Sequence, residues 1–194
     1  MLKRLYDWVL GWAHTPYGTW ALFILAFTES SFFPIPPDVL LIALAISIPA
    51  RAFLYAGLCS LGSVTGGLFG YAIGLYFMEA VGYNIIDFYG FQDKYEQIQA
   101  LYRDYDAWAV ALAGFTPLPY KVFTISAGAF DIDFTVFLIA SALSRSARFF
   151  LVAAVIYRFG EPIRGFIERY FNLLTAAFAA ALVAGFALVR LLAR

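Results

Sequence analysis

The chain has 194 residues, of which 63% are hydrophobic and 13% are charged, and this composition predicts an integral membrane protein and excludes an ordinary soluble domain. The formal net charge is +0, which excludes the basic surface that a nucleic-acid partner requires. One cysteine and one histidine predict neither an internal disulfide nor a metal site, and no cofactor is expected.

Hydrophobic periodicity and helix-breaking residues divide the chain into predicted segments of one polytopic, all-α membrane domain. In chain order they are an amphipathic interfacial helix at 1–16, a re-entrant helical hairpin at 17–50, a spanning helix at 52–78, an amphipathic interfacial helix at 82–106, a second re-entrant hairpin at 107–131, a spanning helix with an arginine pair at 134–158, and a C-terminal spanning helix at 170–192.

The hairpins are predicted because two apolar stretches are too short to cross a bilayer. A helix rises ~1.5 Å per residue, so the stretches 39–48 and 122–130 cover only about half of a ~30 Å hydrocarbon core. Each follows prolines, which break helices; they are Pro34, Pro36 and Pro37 in the first hairpin and Pro117 and Pro119 in the second. A broken helix is tolerated at membrane depth only where protein or a wet cavity surrounds it, so both tips are expected to lie in the interior.

The two hairpin sequences resemble each other. The run WALFILAFT that begins at Trp20 matches WAVALAGFT at Trp108, and PIPPDV matches PLPYKV, which places Asp38 opposite Lys121. The first copy carries an insertion, ESSFF, which supplies Glu29. Because the span at 52–78 delivers the second hairpin to the other side, the repeat is predicted to be inverted, as in many transporters.

Two carboxylates are candidates for proton coupling. Glu29 lies in an apolar run, where an ionisable side chain marks a functional pathway by default. The structural alternative is a neutral carboxyl bonded to hairpin backbone. Asp38 follows two prolines, where an aspartate also serves as a helix N-cap, and both interpretations remain open for it.

Three cations are candidates for binding a lipid phosphate. Lys121 lies at the tip of the second hairpin, and Arg145 and Arg148 share one face near the middle of their predicted span. The fork of an arginine side chain matches the oxygens of a phosphate. The alternatives are an ion pair between Lys121 and Asp38, and a buried structural network of the arginines with Glu29 or Asp38.

A ladder of small residues occupies one face of the predicted span 52–78. Its members are spaced four residues apart, which predicts close helix packing against the hairpins or against a second protomer; they are Gly62, Gly66, Gly70 and Gly74. A homodimer is therefore one of the expected assemblies.

These motifs resemble the DedA membrane proteins, also described as SNARE-associated Golgi or VTT-domain proteins, in a divergent bacterial subfamily. The resemblance rests on Glu29 with the following FPIPPD, on GFTPLPYK at 114–121, and on SRSAR at 144–148. It implies two opposed re-entrant hairpins that move a lipid, undecaprenyl phosphate or a phospholipid, between leaflets in a proton-dependent way. The essential acidic pair of the family corresponds to Glu29 and Asp38. Where many members have an arginine, this chain has Gly114, and Lys121 stands one residue past the second basic position, which implies that Lys121, Arg145 and Arg148 share the basic role.

The sequence thus predicts a proton-coupled lipid transporter, flippase-like or scramblase-like, in the inner (plasma) membrane, with membrane lipids and protons as its partners. It is not expected to be an enzyme, because its charged residues are scattered singly and no pair of nucleophile and base is apparent. Two alternatives are kept: an integral-membrane enzyme that acts on lipid phosphates, and a proton or cation antiporter.

Overall fold

A computed structural model describes residues 15, 17–32, 36–116 and 118–160, with the side chains of 101–106 left aside. Apart from Thr15, the predicted interfacial helix at 1–16 lies outside the described residues. The predicted C-terminal span at 170–192 and the prolines Pro34 and Pro117 lie outside them too.

All regular structure in the described residues is helical, which confirms the all-α part of the predicted fold. The elements are α1 (Gly18–Ser31), α2 (Asp38–Ser47), a 3-10 turn (Pro49–Arg51), α3 (Ala52–Phe77), a π-helical turn (Met78–Gly82), α4 (Tyr83–Tyr89), α5 (Gln92–Phe115), α6 (Tyr120–Ala129) and α7 (Phe134–Gly160).

Two continuous helical stretches in the described residues are long and apolar enough to cross a membrane. They are Pro49–Tyr89, with 41 residues, and Phe134–Gly160, with 27 residues, and they contain the predicted spans 52–78 and 134–158. In contrast, α2 and α6 have 10 residues each, which corresponds to a rise of only ~15 Å.

The glycine ladder of α3 is covered by the broken helices of the same chain. Gly62 and Gly66 lie against the backbone of Phe23 and Phe27 in α1, so closely that a Cβ would overlap a carbonyl oxygen. Further along, Gly70 and Gly74 lie against Thr124 and Ile125 in α6. Helices approach this closely only where side chains are absent. Of the two predicted roles of the ladder, the structure shows close packing within the chain, against α1 and α6.

These contacts also give the direction of each helix. Along α3 from Gly62 to Gly70 the contacts on α1 advance from Phe23 to Ser30, and the contacts on α6 begin at Tyr120 beside Gly67. Both α1 and α6 therefore run parallel to α3, α1 beside its first half and α6 beside its second half. The end of α1 and the start of α6 meet near the middle of α3.

The last helix, α7, runs antiparallel to α3. At one end, the hydroxyl of Tyr71 donates a hydrogen bond of 2.7 Å to the carbonyl of Ile132, just before α7 begins. At the other end, the ring of Phe53 lies 6.2 Å from that of Phe150 and 5.4 Å from that of Tyr157. This antiparallel course places the middle of α7 beside the middle of α3.

The core consists of two apolar clusters. One joins α1, α2, α3 and α7 and includes Leu22, Leu41 and Phe149. The other joins α3, α5, α6 and α7 and includes Val110 and Phe137. Polar residues occupy the level between them along α3 and α7, and this level holds the candidate site.

One predicted segment differs from the structure. The sequence predicted a single amphipathic helix at 82–106, separate from a hairpin at 107–131. The structure instead interrupts this helix at Gly90, which adopts a left-handed φ of 66°. It then continues α5 without a break from Gln92 to Phe115, because no glycine or proline falls between Gln92 and Gly114, and a change from polar to apolar composition does not end a helix.

Candidate functional site

Four helix ends converge near the middle of α3. They are the end of α1, the start of α2, the end of α5 and the start of α6. Proline explains the breaks, since Pro37 precedes α2 and Pro119 precedes α6, while Thr116, which stands before a proline in the sequence, is extended with ψ 170°. Helix breaks leave backbone carbonyls and amides without helical partners, so the tips are suited to bind polar groups.

Arg145 of α7 reaches the end of α1. Its Nη2 atom donates to Oε2 of Glu29 at 2.7 Å, and the arginine side chain is only 2% exposed. The guanidinium lies 4.8 Å from the ring centroids of both Tyr120 and Phe149, which fix its plane by cation–π contact. These ring contacts and the ion pair with Glu29 together hold the guanidinium in place.

Arg148, one turn further along α7, joins the two pairs of broken helices, α1–α2 and α5–α6. Its Nη2 and Nε atoms donate to the two carboxylate oxygens of Asp38 at 2.8 and 3.3 Å. Its Nη1 atom donates to the carbonyl of Thr116 at 3.0 Å, which is a backbone group at the break after α5. One arginine therefore binds the start of α2 and the end of α5 together.

The partner of Asp38 differs from one alternative that the sequence offered. Lys121 was a candidate partner, and the structure gives that place to Arg148. Lys121 lies half-buried in the first turn of α6, at the level of the same break. Nor does Asp38 act as a side-chain N-cap, because Pro37 occupies the cap position and the carboxylate is used by the arginine.

The arginine–carboxylate network, which the sequence offered as an alternative to phosphate binding, is present, and its formal charges balance. Arg145 and Arg148 carry two positive charges, and Glu29 and Asp38 carry two negative ones. The side chains of Glu29, Arg148 and Asp38 are 16%, 18% and 20% exposed, so that water screens these pairs only in part. In an arrangement of this kind, loss of one charge leaves its partner buried without compensation, which is unfavourable.

Several polar groups of the site were missed by the sequence analysis. Ser30 of α1 and Ser63 of α3 are fully buried and contact the pair of Arg145 and Glu29. Ser63 directly follows a ladder glycine, a position where a small residue is explained by packing alone. The hydroxyls of Tyr120 and Ser141 are buried and have no hydrogen-bond partner of normal geometry among the described residues. An insertion with two serines beside Glu29 was the one available sequence signal.

Gly114 also has a structural explanation. A Cβ at this position would overlap the side chain of Ser144, the residue that precedes Arg145. The glycine thus lets α5 approach α7 closely at the level of the site. Among the described residues no group of three or more histidine, cysteine, aspartate or glutamate side chains could hold a metal ion.

In the part of the chain that the structure describes, the regular structure is all helical, and its broken helices meet around two largely buried arginine–carboxylate pairs. The family model described as the VTT domain matches residues 35–158, and the chain belongs to this family, the domain of the DedA and SNARE-associated Golgi proteins. The family is membrane-associated, in keeping with the two long apolar helical stretches.

Relatives in both bacteria and archaea share most of the chain. An uncharacterized protein of Haemophilus influenzae is 36% identical over 165 residues, which cover 85% of each chain. An uncharacterized protein of Histophilus somni is 39% identical over 76% of this chain and 77% of its own. A third, from Methanocaldococcus jannaschii, is 26% identical over 68% of this chain and 79% of its own. No solved structure shows a significant match to the chain.

Proposed function

We propose that this protein is a proton-coupled membrane transporter that moves a phosphate-bearing lipid, such as undecaprenyl phosphate or a phospholipid, between the leaflets of the inner (plasma) membrane. The observation that carries the proposal is the pair of arginine–carboxylate contacts at the point where four helix ends meet. Membership of the VTT-domain family is consistent with a transporter.

The course of the helices supports a re-entrant, inverted arrangement. The unit α1–α2 adjoins the first half of α3, and α2 leads directly into the start of α3 through Pro49–Arg51. The unit α5–α6, which follows α3 in the chain, adjoins the second half of α3. In a membrane spanned by α3, the two units would therefore enter from opposite sides and break at the same depth, which is where inverted-repeat transporters bind their substrates.

Charge balance provides the coupling between protons and lipid. While Glu29 and Asp38 are ionised, each arginine is neutralised by its own carboxylate. Uptake of a proton by either carboxyl group leaves one arginine with an uncompensated charge, which favours an anion. A lipid phosphate fits the arginine fork in two-point contact, and Lys121 at the same break adds a further positive charge. The lipid tails remain in the bilayer while the headgroup crosses.

Transport is tested with purified protein in proteoliposomes. Short-chain fluorescent phospholipid and polyprenyl phosphate serve as cargoes, with and without a pH gradient, and protein-free vesicles give the background. We expect movement of at least one cargo above background and acceleration by the gradient, and Glu29→Gln should remove the acceleration. Headgroup movement equal to that of protein-free vesicles would refute the proposal.

The same vesicles separate the alternative functions. Thin-layer chromatography of the lipids after incubation should show them chemically unchanged, whereas new products would indicate an enzyme. Gradient-driven proton flux in vesicles without a cargo lipid would indicate an antiporter. A mixed result, with proton flux only when cargo is present, is the one that a coupled lipid transporter gives.

A further inference from the structure

A chain of buried hydroxyl groups provides a second connection between Arg145 and Glu29. The Nε atom of Arg145 contacts Oγ of Ser63, and this oxygen lies 2.7 Å from Oγ of Ser30. Oγ of Ser30 lies 3.1 Å from Oε2 of Glu29, the same oxygen that accepts Nη2 of Arg145. Both serines are completely buried, so these contacts are made without competition from water.

The chemistry of the end groups fixes the direction of the chain. A guanidinium only donates hydrogen bonds, and an ionised carboxylate only accepts them. With Glu29 ionised, the single hydrogen of Ser30 is donated to the carboxylate. The contact between the serines must then be donated by Ser63, which in turn accepts from Arg145. Every donor in the chain thus points toward Glu29.

We propose that Ser30 and Ser63 are positioning residues that hold Arg145 on the ionised carboxylate of Glu29 and release it when Glu29 takes up a proton. The inference rests on the proposed function, since it describes how proton uptake at Glu29 frees the arginine for an anionic headgroup. Through Ser63, α3 thus takes part in a proton-dependent change that otherwise involves only Glu29 of α1 and Arg145 of α7.

The release follows from the same donor count. If a protonated Glu29 donates to Ser30, then Ser30 donates to Ser63, and Ser63 receives hydrogens from both sides. The hydrogen of Ser63 then loses its present acceptor in a buried place, which is unfavourable. The reversal stops at Ser63, because the guanidinium of Arg145 cannot accept a hydrogen bond. Protonation therefore weakens the contact of Arg145 with Ser63 together with its ion pair.

Other ionisable groups also face this region. Asp38 of α2 and Arg148 of α7 form the neighbouring ion pair, Cys59 of α3 lies within electrostatic range of both pairs, and Tyr120 of α6 covers Arg145. The experiment must therefore assign the titrating group directly.

Infrared spectroscopy of the protein in lipid nanodiscs measures the C=O band of protonated carboxyl groups as the pH is lowered. The part of this band that is lost in Glu29→Gln is assigned to Glu29. We expect Ser63→Ala to move the midpoint of this band to higher pH, with roughly fivefold tighter proton binding, because the ionised form loses support. The matched control is Ser60→Ala, a buried serine one turn earlier on α3 whose hydroxyl bonds only to Ala56 of its own helix, and its midpoint should not move.

A serial chain makes a further prediction that does not depend on Ser63→Ala alone. Ser30→Ala breaks the chain next to Glu29, so the double variant with Ser63→Ala should have nearly the same midpoint of the Glu29 band as Ser30→Ala alone. Ser63→Thr keeps a hydroxyl group at this position and should have the wild-type midpoint. Equal midpoints for Ser63→Ala and Ser60→Ala, or additive shifts of the two serine variants, would overturn the proposal. Because the band is read without any cargo, shifted midpoints in a protein that moves no lipid would refute the proposed function and leave the serine chain standing.

Discussion

At the scale of single residues, the central feature is that each arginine is paired with a carboxylate far away in the sequence. Arg145 is paired with a residue 116 positions away, and Arg148 with one 110 positions away. The guanidinium of Arg145 contacts two aromatic rings and donates to three acceptors, Glu29, Ser30 and Ser63. Because a buried guanidinium is stable only while its acceptors remain, Arg145 connects α7 to α1 and α3, and its contacts depend on the charge of Glu29.

The pair of Arg145 and Glu29 can be tested by stability. Arg145→Met leaves a partly buried carboxylate unpaired and is expected to lower the free energy of unfolding by about 3–5 kcal/mol. The double variant with Glu29→Met removes both charges and should recover most of the loss. Denaturant unfolding of the detergent-solubilised protein measures both effects. A double variant less stable than Arg145→Met would contradict the ion pair.

The contact of Asp38 with Arg148 is open to a double-mutant cycle. Asp38→Asn and Arg148→Gln should be coupled by about 0.5–3 kcal/mol, because they share a two-point contact. Arg158 on the same helix is exposed and lies over the ring of Phe159, so Arg158→Gln with Asp38→Asn supplies the additive control. Thermal unfolding at fixed pH gives the values, and additivity in both cycles would remove Arg148 as the partner of Asp38.

At the scale of helices, α3 is the element on which the two broken units are mounted. Its ladder glycines contact α1 in the first half and α6 in the second half, and three of them, Gly62, Gly66 and Gly74, lie directly against backbone. The far end of α6 is also held, since Tyr95 and Gln99 of α5 donate to the carbonyls of Ala129 and Phe130 at 2.9 Å each. These contacts restrain α6 at its outer end and leave its inner end at the charged site.

A pair of glycine substitutions on α3 tests this packing. Gly74→Ala would drive a Cβ into the carbonyl of Ile125 and is expected to destabilise the protein by about 1–3 kcal/mol or more. Gly57→Ala is the matched control, because no atom lies within 4 Å of the added Cβ and the helix gains up to ~1 kcal/mol. Unfolding of both variants in detergent would contradict the packing if Gly74→Ala were as stable as Gly57→Ala.

At the scale of the whole molecule, the sequence predicted the helix breaks, but it offered the arginine–carboxylate contacts only as one of several alternatives. Proline acts locally, so the ends of α1 and α5 and the starts of α2 and α6 could be derived from the order of residues alone. The choice of Arg148 as the partner of Asp38 depends on how α2 packs against α7, and the contact of Ser63 with Arg145 depends on how α3 packs against α7; no local pattern records either. The continuity of α5 was missed for the opposite reason, because its change in composition at 106 resembled a boundary while its backbone contained no breaker.

The opposed arrangement of the two units can be tested by cysteine accessibility in vesicles. The native Cys59 is buried and should remain unlabelled. Thr15→Cys and Ser47→Cys flank the first unit near the start of α3 and should react with an impermeant thiol reagent from one side. Thr135→Cys follows the second unit and should react from the other side. Labelling of all three from the same side would contradict the re-entrant arrangement.

The role of the arginine–carboxylate site in lipid transport is tested most directly by the initial rate of headgroup translocation in proteoliposomes under a pH gradient. The rates of Arg148→Gln and Arg158→Gln are compared at equal protein content. Arg148 lies in the site and Arg158 lies exposed further along the same helix. We expect Arg158→Gln to transport at the wild-type rate and Arg148→Gln to be slower by at least about tenfold, which corresponds to ~1.4 kcal/mol. Equal rates for the two variants, or a wild-type rate no higher than that of protein-free vesicles, would contradict this role of the site.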